Sequence, residues 1–112
     1  FGTIDDTPVF GMPGNPTSCL TNAYVMLVPF LRTVAHLPPH RPHVVRVPLA
    51  RRVTSAPDRT QFYTVRLVDG RAEPAFKASG DITSMAHADG YVEIAAEVTA
   101  LEAGTAVDVV LF

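Results

Sequence analysis

The chain has 112 residues, a length that suits one domain or one small domain with part of another. Its hydrophobic fraction of 47% and charged fraction of 18% are those of an ordinary globular protein. A net charge of −2 gives no electrostatic argument for binding nucleic acid, and the longest apolar run, Ala23 to Leu31, is too short to span a membrane. One cysteine, Cys19, cannot form an intramolecular disulfide, which fits a reducing cytoplasm.

The first third of the chain predicts a strand followed by a long helix. Thr7 to Met12 is apolar and precedes a Gly/Pro turn, which favours a short buried strand. Thr17 to Leu37 carries apolar residues at spacings of three and four on one face and further apolar residues on the other. We therefore expect a largely covered helix, kinked at Pro29, where a backbone donor is missing.

A proline-rich joint, residues 38–42, then separates two patterns. We expect residues 1–37 to be the truncated end of one domain and residues 43–112 to form a β domain. Alternating segments over 43–50, 61–68, 90–96 and 105–112 indicate short strands. Asp69-Gly70, Asp89-Gly90 and Ala103-Gly104 indicate turns between them. The predicted fold class is α+β, with a small antiparallel, barrel-like sheet.

The stretch "GMPGNPTS" (Gly11 to Ser18) is the best candidate for a chemical site. With Asn15 as N-cap and Pro16 as the first helical residue, the N–H groups of residues 17–19 would lack partners within the helix. Such donors and the helix dipole suit phosphate or another tetrahedral oxyanion, and Gly14 would allow close approach. The alternative is that these residues only build a strand–helix turn.

Three ordered motifs resemble the MoeA family, the molybdopterin molybdenumtransferases that include the gephyrin E-domain. "TPVFGMPGNPTS" is similar to the family's PxFGLPGNPVS segment. "SAPDRTQFYTVRL" (55–67) is similar to S-x-P-G-R-x-x-F-x-R-x-x-L, and "ASGDITSMAHADGYVEI" (78–94) to a GSGD/H-x-S-S-x-x-x-A-x-G segment. Met12, Thr17 and Asp58 replace the usual Leu, Val and Gly, and Thr64 stands near a position where Arg is common.

The resemblance implies the end of an α/β molybdopterin-binding domain followed by the family's C-terminal β domain (domain IV). It implies a cytoplasmic homodimer that inserts molybdate into adenylylated molybdopterin and releases AMP, using Mg²⁺. The residues it implies along the substrate cleft are Pro13, Gly14, Asn15, Pro16, Thr17 and Ser18, with Asn15 and Ser18 in the catalytic role. The chain begins at Phe1, so we expect a fragment, inactive alone, whose metal and phosphate ligands lie upstream.

Further candidates have plainer alternatives. Ser79, Gly80, Asp81 and Ser84 would form a polar loop facing the partner subunit's cleft, or Ser79 or Asp81 would cap a short helix. His40 and His43 have a metal-ligand spacing but lie in the proline-rich joint, so no metal site is expected here. A different class of function also stays open, a non-catalytic β-barrel module that binds or scaffolds protein partners.

Overall fold

The structure, a computed structural model, describes residues 1–75 and 84–112. The first element is a hairpin of strands β1 (Gly2–Ile4) and β2 (Thr7–Val9), paired antiparallel with Ile4 opposite Thr7. Asp5 and Asp6 form its two-residue turn with φ of 45° and 62°, as a type I′ turn requires. The strand predicted at Thr7 to Met12 is present but shorter, since β2 ends at Val9, and its predicted burial is wrong, since all three of its residues are exposed.

The predicted helix is present but has three parts. These are helix α1 (Pro16–Asn22), a π-helical turn (Ala23–Leu27) and helix α2 (Val28–Val34). The π turn lies directly before Pro29, which has no N–H to give the Val25 carbonyl, and the Val28 N–H bonds instead to the Ala23 carbonyl. The irregularity predicted at this proline is therefore a change of helical register just upstream of it.

The expectation of a largely covered helix is wrong. Thr17 and Thr21 are its buried residues, whereas large apolar side chains such as Leu20, Leu31 and Val34 are about half exposed. Among the residues described, no helix is long and apolar enough to cross a membrane.

The rest of the described chain is mainly β structure. Its elements are β3 (Val44–Pro48), β4 (Val53–Thr54), β5 (Gln61–Val68), β6 (Arg71–Pro74), a 3₁₀ helix (Ser84–His87), β7 (Gly90–Ile94), β8 (Ala100–Leu101) and β9 (Ala106–Leu111). A five-stranded antiparallel sheet has the order β3-β9-β7-β5-β6, and β4 pairs with β8 beside it. The sheet curls so far that Leu49, just after β3, bridges Ala72 of the opposite edge strand. This bears out the barrel-like β domain.

The core lies on the concave side of this curled sheet. Its buried residues are Leu49, Val53, Val65, Ala72, Val92, Ile94, Val107 and Val109. The period of two predicted from the sequence explains this set, because alternate residues of β3, β5, β7 and β9 face the same side. Residues 35–43, which contain the proline-rich joint, belong to no helix or strand.

Two of the three predicted turns are confirmed. Asp69 and Gly70 have φ of 48° and 71° and connect β5 to β6, while Gly104 has φ of 83° before β9. The Asp89-Gly90 turn is wrong, because Gly90 is the buried first residue of β7. Its glycine is needed for close approach, since a β-carbon there would overlap the Val110 carbonyl of the neighbouring strand.

Candidate functional site

The helix start has the predicted cap. Asn15 is the N-cap in extended conformation (φ −72°, ψ 123°), and its side-chain oxygen accepts the Ser18 N–H at 3.1 Å. Pro16 is the first helical residue, where its missing N–H costs nothing. Asn15 therefore fixes the geometry at the entrance of the helix.

The prediction of three unpartnered N–H donors is corrected by the same geometry. The Ser18 N–H donates to the Asn15 side chain, and the Cys19 N–H donates to the Asn15 carbonyl at 2.8 Å. A good N-cap satisfies the donors that would otherwise be offered to a ligand. What the first turn still presents is the helix dipole and the Ser18 hydroxyl, which has no hydrogen-bond partner within the described residues.

The predicted cleft residues differ in exposure. Pro13, Gly14, Pro16 and Ser18 are exposed, and no atom lies within 4 Å of where a Gly14 β-carbon would be. Thr17 is 7% exposed and turns away from that surface. Four of the predicted cleft residues are therefore accessible at the helix start, whereas Thr17 is part of the packing.

The third motif reaches this helix at its described end. Ser79, Gly80 and Asp81 lie outside the described residues, and Ser84 begins the 3₁₀ helix. That 3₁₀ helix packs on α1, where the Thr21 hydroxyl lies 3.7 Å from the Met85 sulfur and also donates to the Thr17 carbonyl at 2.9 Å. The third motif therefore contacts the helix that follows the first motif, a pairing that sequence spacing does not reveal.

The second motif builds a loop that precedes β5. Buried Ser55 donates its hydroxyl proton to the Gln61 side-chain oxygen at 2.9 Å, and that oxygen also accepts the Ala56 N–H at 3.3 Å. Asp58 has φ of 62°, the left-handed region that favours glycine. This accounts for the glycine that the family has at the position of Asp58.

A row of aromatic rings joins the helical part to the outer face of the sheet. The centroids of Tyr24 and Phe112 lie 4.8 Å apart, those of Phe112 and Tyr91 5.8 Å, and those of Tyr91 and Phe62 5.5 Å. Burial, and then the like charge of Glu93, raise the pKa of Tyr91. Sequence analysis missed this row because three of its residues belong to three different elements and Phe112 follows β9.

Two arginines that follow β3 form surface ion pairs. Arg51 pairs with Glu73 at 3.7 Å and Arg52 with Glu102 at 2.9 Å, all with well-exposed side chains. Exposed pairs of this kind contribute little to stability. Across residues 1–75 and 84–112, no group of three or more His, Cys, Asp or Glu side chains could hold a metal ion.

Known proteins that this chain resembles have names connected with molybdopterin. A family model described as the MoeA C-terminal region (domain IV) matches residues 46–112. Molybdopterin molybdenumtransferase 2 of Mycobacterium tuberculosis is 34% identical over 113 residues, covering 96% of this chain and 27% of the relative. A putative molybdopterin biosynthesis protein of Methanocaldococcus jannaschii is 33% identical, covering 99% and 26%.

Solved structures agree with these relatives. A molybdopterin biosynthesis MoeA protein from Pyrococcus horikoshii superimposes with a TM-score of 0.81 and 41% identity over 98% of this chain and 27% of that one. A molybdenum cofactor biosynthesis protein from Pyrococcus furiosus has a TM-score of 0.78 and 26% identity over 88% and 36%. The chain thus spans about a quarter of the length of the curated relatives named above.

Proposed function

Since the chain belongs to the MoeA family through its C-terminal region (domain IV), we propose that it is the C-terminal part of a molybdopterin molybdenumtransferase. The activity proposed for the whole protein is insertion of molybdate into adenylylated molybdopterin, with release of AMP, in molybdenum cofactor biosynthesis. The names of the relatives support this proposal. The chain alone, which spans about a quarter of those relatives, is expected to be inactive.

The observation that carries the proposal is the geometry of the helix start. Asn15 holds the first turn by accepting the Ser18 N–H, and the Ser18 residue is exposed beside it. Molybdate is a tetrahedral dianion, so a hydroxyl donor at the positive end of a helix suits it. We assign Ser18 to direct contact with molybdate and Asn15 to positioning that contact, with Pro13, Gly14 and Pro16 lining the approach.

The proposal also covers the oligomeric state and the metal requirement of the whole protein. We propose a cytoplasmic homodimer, with the cleft completed by the β domain of the partner subunit. Mg²⁺ would be required, but the side chains of the described part do not fit a metal site, so no step is assigned to the ion here.

The test is molybdenum insertion by the full-length protein that contains this chain. Ser18→Ala removes one hydroxyl donor at the reacting oxyanion and should lower insertion by roughly tenfold or more. Thr99→Ala is the matched control, since it removes an exposed hydroxyl from a loop outside all three motifs. Equal insertion by both variants would overturn the assignment of Ser18.

A second pair of variants separates positioning from contact at Asn15. Serine is also a good N-cap, whereas alanine is not and costs about 1 kcal/mol at such a position. If Asn15 acts by capping, Asn15→Ser should retain most of the insertion activity and Asn15→Ala should lose it. Equal loss in both variants would mean that the asparagine amide itself contacts the substrate.

A further inference from the structure

The 3₁₀ helix (Ser84–His87) is in contact with two parts of the molecule at once. It packs on β5 of the sheet and on α1, the helix that begins at the candidate site. The two contacts differ in chemistry, because hydrogen bonds make the attachment to the sheet and a methionine side chain makes the contact with α1. The 3₁₀ helix therefore connects the β domain to the helix that carries Ser18.

Asp89 attaches this segment to the sheet. The Asp89 N–H donates to the Val65 carbonyl at 2.9 Å, and a side-chain oxygen of Asp89 accepts the Leu67 N–H at 2.7 Å. The Asp89 carbonyl accepts the N–H of Phe112, the residue that follows β9, at 3.2 Å. A residue bonded through its N–H, its carbonyl and its side chain has little freedom to move. The 3₁₀ helix, which ends two residues before Asp89, thus has a fixed attachment to the sheet.

Met85 makes the contact with α1. Its side chain is half-buried, and its sulfur lies 3.7 Å from the Thr21 hydroxyl. Thr17 and Thr21 are the buried residues of α1, and they lie one turn apart on the same face of the helix. The Thr21 hydroxyl already donates to the Thr17 carbonyl at 2.9 Å, and a thioether is a weak acceptor. Met85 therefore acts on this face mainly through packing.

The helix that Met85 contacts is short. α1 has seven residues and continues directly into the π-helical turn Ala23–Leu27. A helix of this length depends on tertiary contacts for its stability. Exposed Ser18 lies three residues before Thr21, within one turn of the Met85 contact. Since one turn of helix moves as a unit, a shift of Thr21 displaces the Ser18 hydroxyl as well.

We propose that Met85 is a positioning residue, which sets the place of the Ser18 hydroxyl by packing on Thr21. This role rests on the proposed contact of Ser18 with molybdate. Ser18 contacts the substrate, whereas Met85 acts through the helix between them. Small displacements of a group that binds the reacting atoms lower reaction rates strongly, so a packing contact one turn away affects the chemistry.

Hydrogen exchange of the full-length protein tests the structural part of this role. Met85→Ala removes the packing on Thr21 and should raise the exchange of amides in residues 19–22 by roughly fivefold or more. Met85→Leu keeps the volume of the side chain and should stay within about twofold of the unaltered protein. Leu101→Ala is the matched control, since it removes a side chain of similar size that packs on the core of the β domain. Unchanged exchange in Met85→Ala, or an equal rise in Leu101→Ala, would overturn the proposal.

Molybdenum insertion by the same variants tests whether Met85 acts through Ser18. Met85→Ala should lower kcat/KM for molybdate by roughly three- to tenfold, a loss no larger than that of Ser18→Ala, and Met85→Leu should retain most of the activity. In a Ser18→Ala background, Met85→Ala should cost less than about twofold more, because the group that it positions is gone. Losses that multiply in the double variant would overturn the proposal, since Met85 would then act independently of Ser18.

Failure of the proposed function gives a different result from failure of this inference. If Ser18→Ala leaves insertion unchanged while Met85→Ala raises the exchange of residues 19–22, the contact of Ser18 with molybdate is wrong and Met85 still holds the start of the helix. If Ser18→Ala lowers insertion while Met85→Ala changes neither exchange nor insertion, the contact of Ser18 stands and the role of Met85 is wrong.

Discussion

At the scale of single residues, the Thr64 hydroxyl is the clearest departure from ordinary packing. The residue is 1% exposed, and its side-chain oxygen has no hydrogen-bond partner in the described part of the chain. Its backbone is well paired, since the Thr64 carbonyl accepts the Ala75 N–H at 2.9 Å. Moving a hydroxyl from water into the protein interior costs free energy, and a hydrogen bond inside the protein normally offsets that cost. A buried hydroxyl with no such bond therefore destabilises the fold.

Replacing this hydroxyl with a methyl group should therefore stabilise the protein. Thr64→Val keeps the shape of the side chain and should raise the free energy of unfolding by about 1 kcal/mol, measured by urea denaturation. Thr64→Ser is the control, because it keeps the hydroxyl and loses the methyl group, and should lower stability. A loss of stability in Thr64→Val would show that the hydroxyl has a partner after all.

Single residues also show what local sequence signals can and cannot predict. The cap at Asn15 and the turn at Asp69-Gly70 were predictable, because each depends on the preferences of two or three adjacent residues. Asp89-Gly90 has the same local signal as Asp69-Gly70, yet Gly90 lies inside a strand. Its reason for being glycine is the Val110 backbone across the sheet, which no dipeptide pattern contains.

At the scale of elements, strands with sustained alternation were predictable and very short ones were not. The alternating segment 61–68 predicted β5 to the residue, and β3, β7 and β9 lie within their predicted ranges. The two-residue strands β4 and β8 are too short to show a period and exist because they pair with each other. The hairpin of β1 and β2 was missed because its turn is Asp-Asp rather than a glycine pair.

The π turn before Pro29 leads to a prediction about this helix. Pro29→Ala would supply the missing N–H to the Val25 carbonyl and remove the clash of the ring with the preceding turn. The helical stretch should then become more regular, with higher helix content by circular dichroism and stronger protection of amides 25–30 from hydrogen exchange. Pro16→Ala is the control, because proline is favourable as the first helical residue, and it should not increase helix content.

At the scale of the whole molecule, two clusters of aromatic rings attach the N-terminal elements to one another and to the sheet. Phe10 contacts both Phe1 and Phe30 at centroid distances of 5.0 Å, which joins the hairpin region to α2. Tyr24 contacts Phe112, which in turn contacts Tyr91 of the sheet. Because the helix has few buried residues, these ring contacts and the Thr21–Met85 contact carry much of its attachment.

Phe112 is the ring that connects helix and sheet, so Phe112→Ala should loosen the helix without unfolding the sheet. Aromatic pairs contribute about 0.5–1.5 kcal/mol each beyond their buried area. Losing both contacts should therefore increase hydrogen exchange of amides in residues 17–34 by at least roughly fivefold. Amides of β5, β7 and β9 should keep their protection, because their core residues lie on the opposite, concave face.

Phe10→Ala is the matched control: it removes a ring from the hairpin side and should leave the exchange of residues 17–24 unchanged. Equal loss of protection in the helix and in the sheet after Phe112→Ala would contradict this division and would mean that helix and sheet unfold as one cooperative unit.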